Sequence, residues 1–374
     1  MKRSMLFKSH VLLRVMVCAA LLCPGCQKIR SLFIKTPVDQ IVTESYGVRV
    51  MGYEQTVTIR ATPKELSNLL NDPQKMSTIL FSGVGDEEAM TSSEPLEPTR
   101  TGTCFPTDIK VMGVEIPGQL IVTRVEEDRI LWILWDNPYV FQIQRWDNKP
   151  IKEGTRLTMR LDTEIPRGGV LAGLVDALGS MGLADEPLKG IDLMLAKIQA
   201  HFDPSLDPEE LVALGIRGEI YDALFQVHEA RTWIDASAEQ VLNWVTKAEN
   251  GKKILSELTI DEHHFTMLEK AAIGETIYAH SLFEAGLLKA KIDLFTVKKE
   301  DSLRMYYSVL GQMGFIEFQA EPENGGSLVT ARITMEIPGP LSPQGMEQLM
   351  FATGIHKMLL ERLVLIKTEV EKTG

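Results

Sequence analysis

The feature that most constrains this chain is a repeat of whole-domain length. Matching segments recur at a constant spacing of 172 residues, and one upstream match recurs at a spacing of 175. The matched segments are 102–103 and 274–275, 122–128 and 294–300, 157–166 and 329–338, and, upstream, 59–63 and 234–238. A period this long exceeds the roughly 20–50 residues of solenoid repeats. The chain of 374 residues therefore contains two copies of one fold.

Each copy shows the same order of predicted elements. The first copy begins with a strand at Val48–Ile59, and a helix follows that Thr62 caps and Pro63 opens. Strands separated by short connectors then predict an antiparallel sheet. A long helix closes each copy, over 185–202 in the first and over 342–372 in the second. In the second copy, 259–268 is predicted as the first strand of the series.

This order predicts an α+β fold class. A sheet with one apolar face must cover that face, and the closing helix is the only element of each copy long enough to do so. We therefore predict two tandem domains, each a bent antiparallel sheet wrapped around a long C-terminal helix, with a cavity between sheet and helix. The predicted boundaries are 1–25 for a signal peptide, 26–45 for a tether, 46–202 for domain 1, 203–220 for a linker and 221–374 for domain 2.

The segments that open the two copies carry a family resemblance. They read Ile-Arg-Ala-Thr-Pro-Lys-Glu-Leu at 59–66 and Ile-Asp-Ala-Ser-Ala-Glu-Gln-Val at 234–241, and Glu-Ile-Pro precedes the last helix at 164–166 and at 336–338. Each copy resembles a START-like (SRPBCC, helix-grip) domain. The resemblance covers about 300 residues and implies a fold that hosts lipid carriers, cyclases and regulators, so it does not fix the chemistry.

The first 25 residues have the layout of an export signal. Lys2, Arg3, Lys8 and Arg14 precede a short apolar run that ends at Gly25-Cys26. This resembles a bacterial lipoprotein signal, with Cys26 as the lipidated first residue. Plain secretion and an uncleaved anchor are the alternatives. The prediction is an exported protein, anchored to a membrane on the periplasmic face of the bacterial cell envelope.

The charge of the chain argues against nucleic acid as a partner. The net charge is −12, and removal of the four basic residues of the leader would leave −16. Nucleic-acid binding is driven by Lys and Arg that neutralise phosphates. We expect the acidity to keep an exported domain soluble.

The sequence carries no familiar catalytic or metal-binding signature, and it predicts no cofactor and no metal. The only closely spaced histidines are His263 and His264, which fall on the strand predicted at 259–268 and would then point to opposite faces. The remaining candidates are polar and aromatic residues on strands that could line a pocket. They are Trp132, Phe141, Arg145, Tyr278, His280 and Tyr306. A core or surface role is the alternative for each of them.

These observations favour binding over catalysis. The predicted function is an envelope-anchored binding or carrier protein for an apolar or amphipathic small molecule, such as a lipid, quinone, sterol or polyketide-like compound. The alternatives are a cyclase or aromatase-type enzyme with His280 or Arg145 as the acid, and an interaction scaffold that binds no ligand. The predicted partners are the hydrophobic molecule and the membrane that holds the lipid anchor.

Overall fold

The structure is a computed structural model with side chains, and its described residues form two compact units. The first unit is Arg49–Ala223, and the second comprises Leu224–Gly374 together with residues up to Val48. The described residues are 41–72, 75, 99–111, 114–126, 128–136, 141–164, 186–213, 218–255, 259–260, 262–285, 288–309, 312–337, 342, 344–345, 347–348 and 355–372. The predicted signal peptide, Cys26 and most of the predicted tether lie outside them.

The elements follow the predicted order. Up to residue 218 they are β1 Val42–Ile59, α1 Pro63–Leu70, β2 Cys104–Val111, β3 Val114–Glu126, β4 Ile130–Asp136, β5 Phe141–Ile151, β6 Gly154–Glu164, α2 Glu186–Phe202 and α3 Pro208–Ala213. They continue with β7 Glu219–Ile234, α4 Ala238–Thr246, α5 Ala248–Ile254, β8 Thr259–Ile260, α6 Glu262–Lys270, β9 Thr276–Ala285, β10 Leu288–Lys298, β11 Ser302–Val309, β12 Gln312–Glu323, β13 Gly326–Glu336 and α7 Ile355–Glu371. The fold is α+β, as the sequence predicted.

Each unit is built on an antiparallel sheet. The strand order is β2-β3-β4-β5-β6-β1 in the first unit and β7-β13-β12-β11-β10-β9-β8 in the second. In both sheets the last strand of the hairpin series pairs with the strand that opens the copy. The first and last strands of each copy are therefore neighbours in the sheet. The strands between them follow one another as hairpins.

The strand registers repeat between the two units. Leu157 pairs with Val57, and their counterparts Val329 and Thr232 also pair, at spacings of 172 and 175 residues. The β5–β6 and β12–β13 ladders agree in the same way, since Arg145 pairs with Arg160 as Glu317 pairs with Arg332. The ladders thus repeat at the same spacings as the matching sequence segments.

One strand departs from this correspondence. Leu134 pairs with Ile121 across a ladder that contains a bulge between Val122 and Arg124. Its counterpart Tyr306 pairs with Phe295, which lies 174 residues after Ile121. A bulge adds a residue to one strand only, so β3 and β10 present different residues at equivalent places in the two sheets.

Both short helices begin with the same capping arrangement. Thr62 and Ser237 each accept a bond from the backbone N–H three residues later, and the side chains of Glu65 and Gln240 bond back to the cap N–H groups. Such a reciprocal pair satisfies two backbone donors that would otherwise lack partners at a helix start. The family-like segments at 59–66 and 234–241 thus encode a strand end followed by a helix start.

One element was predicted wrongly. Segment 259–268 was predicted as a strand, but only Thr259–Ile260 is a strand and Glu262–Lys270 is the helix α6. Phe265 and Leu268 are buried at a spacing of three residues, which is helical periodicity. His263 and His264 therefore lie on a helix, where His264 is buried and its Nε2 lies 3.1 Å from Oγ1 of Thr296.

The opening strand begins earlier than predicted. β1 starts at Val42, and its first residues bond within the second unit. The Tyr46 hydroxyl donates to Glu229 over 3.2 Å, and Arg231 donates to Glu44 over 3.0 Å. The predicted boundary between tether and domain 1 thus falls inside β1, and the linker at 203–220 includes the short helix α3.

Candidate functional site

Each sheet has two faces with different surroundings. In the first unit, Leu157, Met159 and Leu161 share one apolar cluster with Leu195 and Ile198 of α2. In the second unit, residues of β13 share a cluster with Leu359, Leu363 and Ile366 of α7. We call the sheet face that packs against the closing helix the inner face, and the opposite side the outer face.

All six predicted site residues lie on outer faces. Neighbouring residues of a strand point to opposite faces, and the strand neighbours Leu131, Trp146, Ala279 and Met305 belong to the inner clusters. The outer positions are therefore those of Trp132, Phe141, Arg145, Tyr278, His280 and Tyr306. The structure groups Trp132 with Arg145 and Tyr278 with His280. A ligand role for any of the six stays a prediction.

Arg145 is held in a buried ion pair. Its Nη1 donates to Asp162 over 2.6 Å, Arg160 lies 3.3 Å from the same carboxylate, and Asp162 is completely buried. The Arg145 guanidinium lies 5.2 Å from the centre of the Trp132 ring, a cation–π distance. Beside this group, burial raises the pKa of Asp147, which nearby Lys149 and Arg145 partly offset. These contacts give Arg145 a structural partner and leave it poorly suited to act as an acid.

Tyr278 and His280 form a cluster with Asp293. His280 Nδ1 lies 2.7 Å from the Asp293 carboxylate, and the Tyr278 hydroxyl donates to the same oxygen over 2.9 Å. Burial and the negative charge of Asp293 raise the pKa of Tyr278 well above its ordinary value. The His280 side chain is 69% exposed. Asp293 orients the imidazole, but the Tyr278 hydroxyl lies 2.6 Å from the other ring nitrogen, Nε2. A general-base role on this exposed surface would therefore require the tyrosine to move aside.

Tyr306 belongs to a ladder of charged residues across the second sheet. Its hydroxyl accepts from Arg304 over 3.0 Å, and Arg304 pairs with Glu317 over 2.7 Å. The ladder continues from Glu317 to Arg332 and then to Glu229. Alternating charges in register across strands satisfy one another, so this row is a structural network.

The inner face of the first unit carries a polar row. Gln142, Gln144 and Thr163 are partly exposed, although the strands beside them supply the apolar cluster. Gln144 donates to the Gln142 side chain over 2.9 Å, and Gln142 donates to the Thr163 hydroxyl over 3.1 Å. An apolar wall with a few aligned amide and hydroxyl groups is typical of a small-molecule pocket.

A buried polar cluster lies deeper on the same face. The Tyr53 hydroxyl donates to the carboxylate of Asp192 on α2 and accepts from the Gly218 N–H over 2.9 Å. Tyr53, Asp192 and Gln55 are all nearly fully buried. Buried charges persist in proteins when they are hydrogen-bonded, and this cluster ties the closing helix to the opening strand.

Trp135 borders the polar row but leans away from it. It is opposite Gln142 in the β4–β5 ladder. Its indole instead covers Gly118 of β3, where an added Cβ would lie 2.5 Å from the indole Nε1. Because Gly118 leaves room for the ring, the polar row stays uncovered on the Trp135 side.

The inner-face residues Gln142, Gln144 and Thr163 were not among the sequence candidates. The signal that would have found them is the comparison of the two copies at inner positions. Residues 172 later, the equivalents are Gly314, Ile316 and Met335, so three polar residues correspond to three without polar side chains.

The described ranges contain no group of three or more His, Cys, Asp or Glu side chains placed to hold a metal ion. Within these same ranges, no helix combines the length and apolarity that a membrane crossing requires. Cys104, which lies on β2, is partly buried, and its thiol donates to the Gly102 carbonyl oxygen over 3.6 Å.

No protein-family model matches this chain, and no curated protein matches it. Solved structures similar to it include the di-domain ARO/CYC StfQ from the steffimycin biosynthetic pathway. The two are 11% identical, with 86% of this chain and 98% of that chain covered and a TM-score of 0.33.

A second similar structure is DynU16, from the dynemicin biosynthetic locus, at 15% identity, 85% and 98% coverage and a TM-score of 0.26. A third, TTHA0849 from Thermus thermophilus, is 17% identical and covers 39% of this chain and 97% of its own, with a TM-score of 0.30. With TM-scores below 0.5, these similarities carry no argument about function.

Proposed function

We propose that this chain binds an apolar or amphipathic small molecule on the inner face of the first unit, between the sheet and α2. The observation that carries the proposal is the polar row of Gln142, Gln144 and Thr163, partly exposed beside an apolar cluster. A ligand would place its apolar body against the cluster and its polar group against the row.

Burial alone can hold such a ligand. Apolar surface removed from water contributes roughly 25 cal/mol per Å², so the site needs no catalytic residue to bind tightly. The row supplies uncharged donors and acceptors, which orient a ligand without demanding a charge on it. This chemistry suits a carrier that shields its ligand from water.

The location of the protein is part of the proposal. The basic head, apolar run and Gly25-Cys26 support export and lipidation of Cys26. An anchor in the envelope would keep the site near a membrane-derived ligand. Metabolic labelling with a fatty-acid analogue should mark the wild type and leave Cys26→Ala unlabelled, and equal labelling of both would contradict the anchor.

A titration with a neutral fluorescent naphthylamine probe tests the binding proposal. The mature chain should bind the probe, and a lipid extract should compete for it. Gln144→Glu places a charge at the row and should weaken binding about tenfold, which is roughly 1.4 kcal/mol. The control is Thr56→Glu, which adds the same charge at an exposed position on the outer face of the first unit and should leave the affinity unchanged. Absence of any probe binding would leave the scaffold interpretation.

The enzymatic alternative has one specific observation in its favour, the cluster of Tyr278, His280 and Asp293. The imidazole is oriented by a carboxylate 2.7 Å away, and a substrate could reach it from solvent. This cluster lies on the outer face of the second unit, whereas the proposed ligand site is on the inner face of the first. Loss of a measured turnover in His280→Ala with retained probe binding would favour catalysis at this second place.

A further inference from the structure

We propose that the equivalent site in the second unit is filled by the protein's own Tyr307, so that each chain binds one ligand molecule. The count of one ligand per chain rests on the proposed function of the first unit. The position of the Tyr307 ring does not depend on that proposal. It concerns Tyr307 and the two residues that flank its ring, Ile292 and Gly314.

Tyr307 occupies the space above Gly314. The two residues are opposite one another in the β11–β12 ladder. The phenol ring and hydroxyl stand where a side chain at Gly314 would begin. The hydroxyl reaches across to the backbone oxygen of Thr334 on the next strand, 3.4 Å away. The ring thus lies along the inner face over β12 and towards β13.

The position of one glycine sets the direction of the ring. Tyr307 corresponds to Trp135. Each of these aromatic residues lies between two neighbouring strands, and a glycine is close to the ring on only one of the two strands. In the first unit the glycine is Gly118 on β3, and the indole lies over it. Aromatic rings commonly cover glycines on neighbouring strands, because the missing side chain leaves a gap.

In the second unit the glycine is on the other side. Tyr307 pairs with Leu294 as Trp135 pairs with Leu120, which makes Ile292 the equivalent of Gly118. Ile292 is buried in the inner cluster and fills the place that the indole takes in the first unit. The ring therefore turns towards Gly314, the equivalent of Gln142, and covers the position of the polar row.

The other two positions of the row are also apolar in the second unit. Met335, which replaces Thr163, is 5% exposed and part of the inner cluster. Ile316, which replaces Gln144, is partly buried and packs against the same cluster. A ligand would have to displace the Tyr307 ring and would find no side-chain amide or hydroxyl at these three positions. The second unit thus has an apolar inner face at the positions where the first unit has the polar row.

The test counts binding sites in the full mature chain by native mass spectrometry and fluorescence titration with the neutral naphthylamine probe. The wild type should bind one equivalent. Tyr307→Ala removes the ring and should add a second equivalent, because buried apolar cavities accept small apolar molecules. Tyr307→Phe keeps the ring and should remain at one equivalent.

A second variant guards against collapse of the opened space. Ile292→Gly combined with Gly314→Gln recreates the flanks of Trp135 around Tyr307 and should also add an equivalent. Circular dichroism verifies that each variant is folded before its sites are counted. If both variants keep the wild-type stoichiometry, or if the wild type already binds two equivalents, the inference is overturned. If the wild type binds none and Tyr307→Ala binds one, the inference holds while the proposed function fails.

Discussion

The two inner faces are built from equivalent strands but differ in the side chains that cover them. In the first unit, Trp135 leans over Gly118 and leaves Gln142 and Gln144 partly exposed. In the second, Tyr307 leans over Gly314 and the neighbouring positions are apolar. The β4–β5 and β11–β12 registers at these residues are the same, while the bulge in β3 shifts its correspondence with β10. The duplicated fold thus carries a polar row on one inner face and an apolar surface under an aromatic ring on the other.

The difference depends on very few residues. Moving a glycine from β3 to β12 reverses the direction in which the adjacent aromatic ring can lie. One contact that holds the backbone is the same in both units, since Thr155 and Ser327 donate to the equivalent carbonyls of Ala61 and Ala236 over 2.7 and 2.6 Å. This contact is thus kept in both units, although the inner-face residues differ.

The largest expected effect concerns two equivalent hairpin glycines. A Cβ at Gly154 would overlap the Ile59 carbonyl, and one at Gly326 would overlap the Ile234 carbonyl. Gly154 also has a φ of +139°, which side chains rarely adopt. We expect Gly154→Ala to cost about 3 kcal/mol and Gly326→Ala about 2 kcal/mol in denaturant titrations. Equal costs would show that the positive φ at residue 154 adds no penalty for alanine beyond the overlap with the carbonyl.

A smaller effect compares how each closing helix is fastened. Lys367 donates to the Trp233 carbonyl over 2.7 Å, and its counterpart Gln199 donates to the Thr58 carbonyl over 3.1 Å. A bond from a charged donor contributes about 1.5–3 kcal/mol, and a neutral one about 0.5–1.5 kcal/mol. Lys367→Met should therefore destabilise the protein more than Gln199→Met, as measured by urea unfolding. The reverse order would contradict this account of the two helices.

The next prediction converts the first face into the second. Gly118→Ile with Gln142→Gly should push the indole of Trp135 over the polar row. Probe affinity should fall about tenfold, roughly 1.4 kcal/mol. The control is Gly118→Ala alone, which crowds the indole without giving it the new gap and should weaken binding less. Unchanged affinity in the double variant would show that the direction of the Trp135 ring does not control probe binding.

The smallest effect is a pH dependence confined to the first unit. Burial raises the pKa of Asp147 in the folded state, whereas its counterpart Gln319 cannot titrate. A raised folded pKa means that the folded state binds the proton more tightly. Stability should then decline as the pH rises from the unfolded value of about 3.9 through the folded pKa. Asp147→Asn should flatten this part of the stability profile, and an unaltered profile would contradict the assignment.

Much of the fold was predictable because the sequence patterns that mark helix starts and strands are local and occur in both copies. The capping residues Thr62 and Ser237 and the constant 172-residue spacing identify helix starts and strands in both copies. The error at 259–268 arose because a short segment with several apolar residues fits a strand or a helix equally well. There the burial of Phe265 and Leu268 decides for a helix.

The site was less predictable than the fold. The sequence identifies single polar or aromatic residues such as Arg145 and Tyr306, but it does not show which sheet face they occupy. The face depends on register, and a shift of one residue exchanges the two faces. The direction of the Trp135 and Tyr307 rings depends on glycines on neighbouring strands, which lie far away in sequence. Such contacts are set by tertiary structure and have no local signature.

Photo-crosslinking with a neutral, photoreactive lipid analogue shows which inner face the ligand contacts. The mature wild-type chain is labelled, digested and mapped by mass spectrometry. The account predicts adducts on the segments that carry Trp135, Gln142, Gln144 and Thr163, and none on the equivalent segments around Tyr307 and Ile316. Adducts spread equally over both units, or confined to the second, would contradict it.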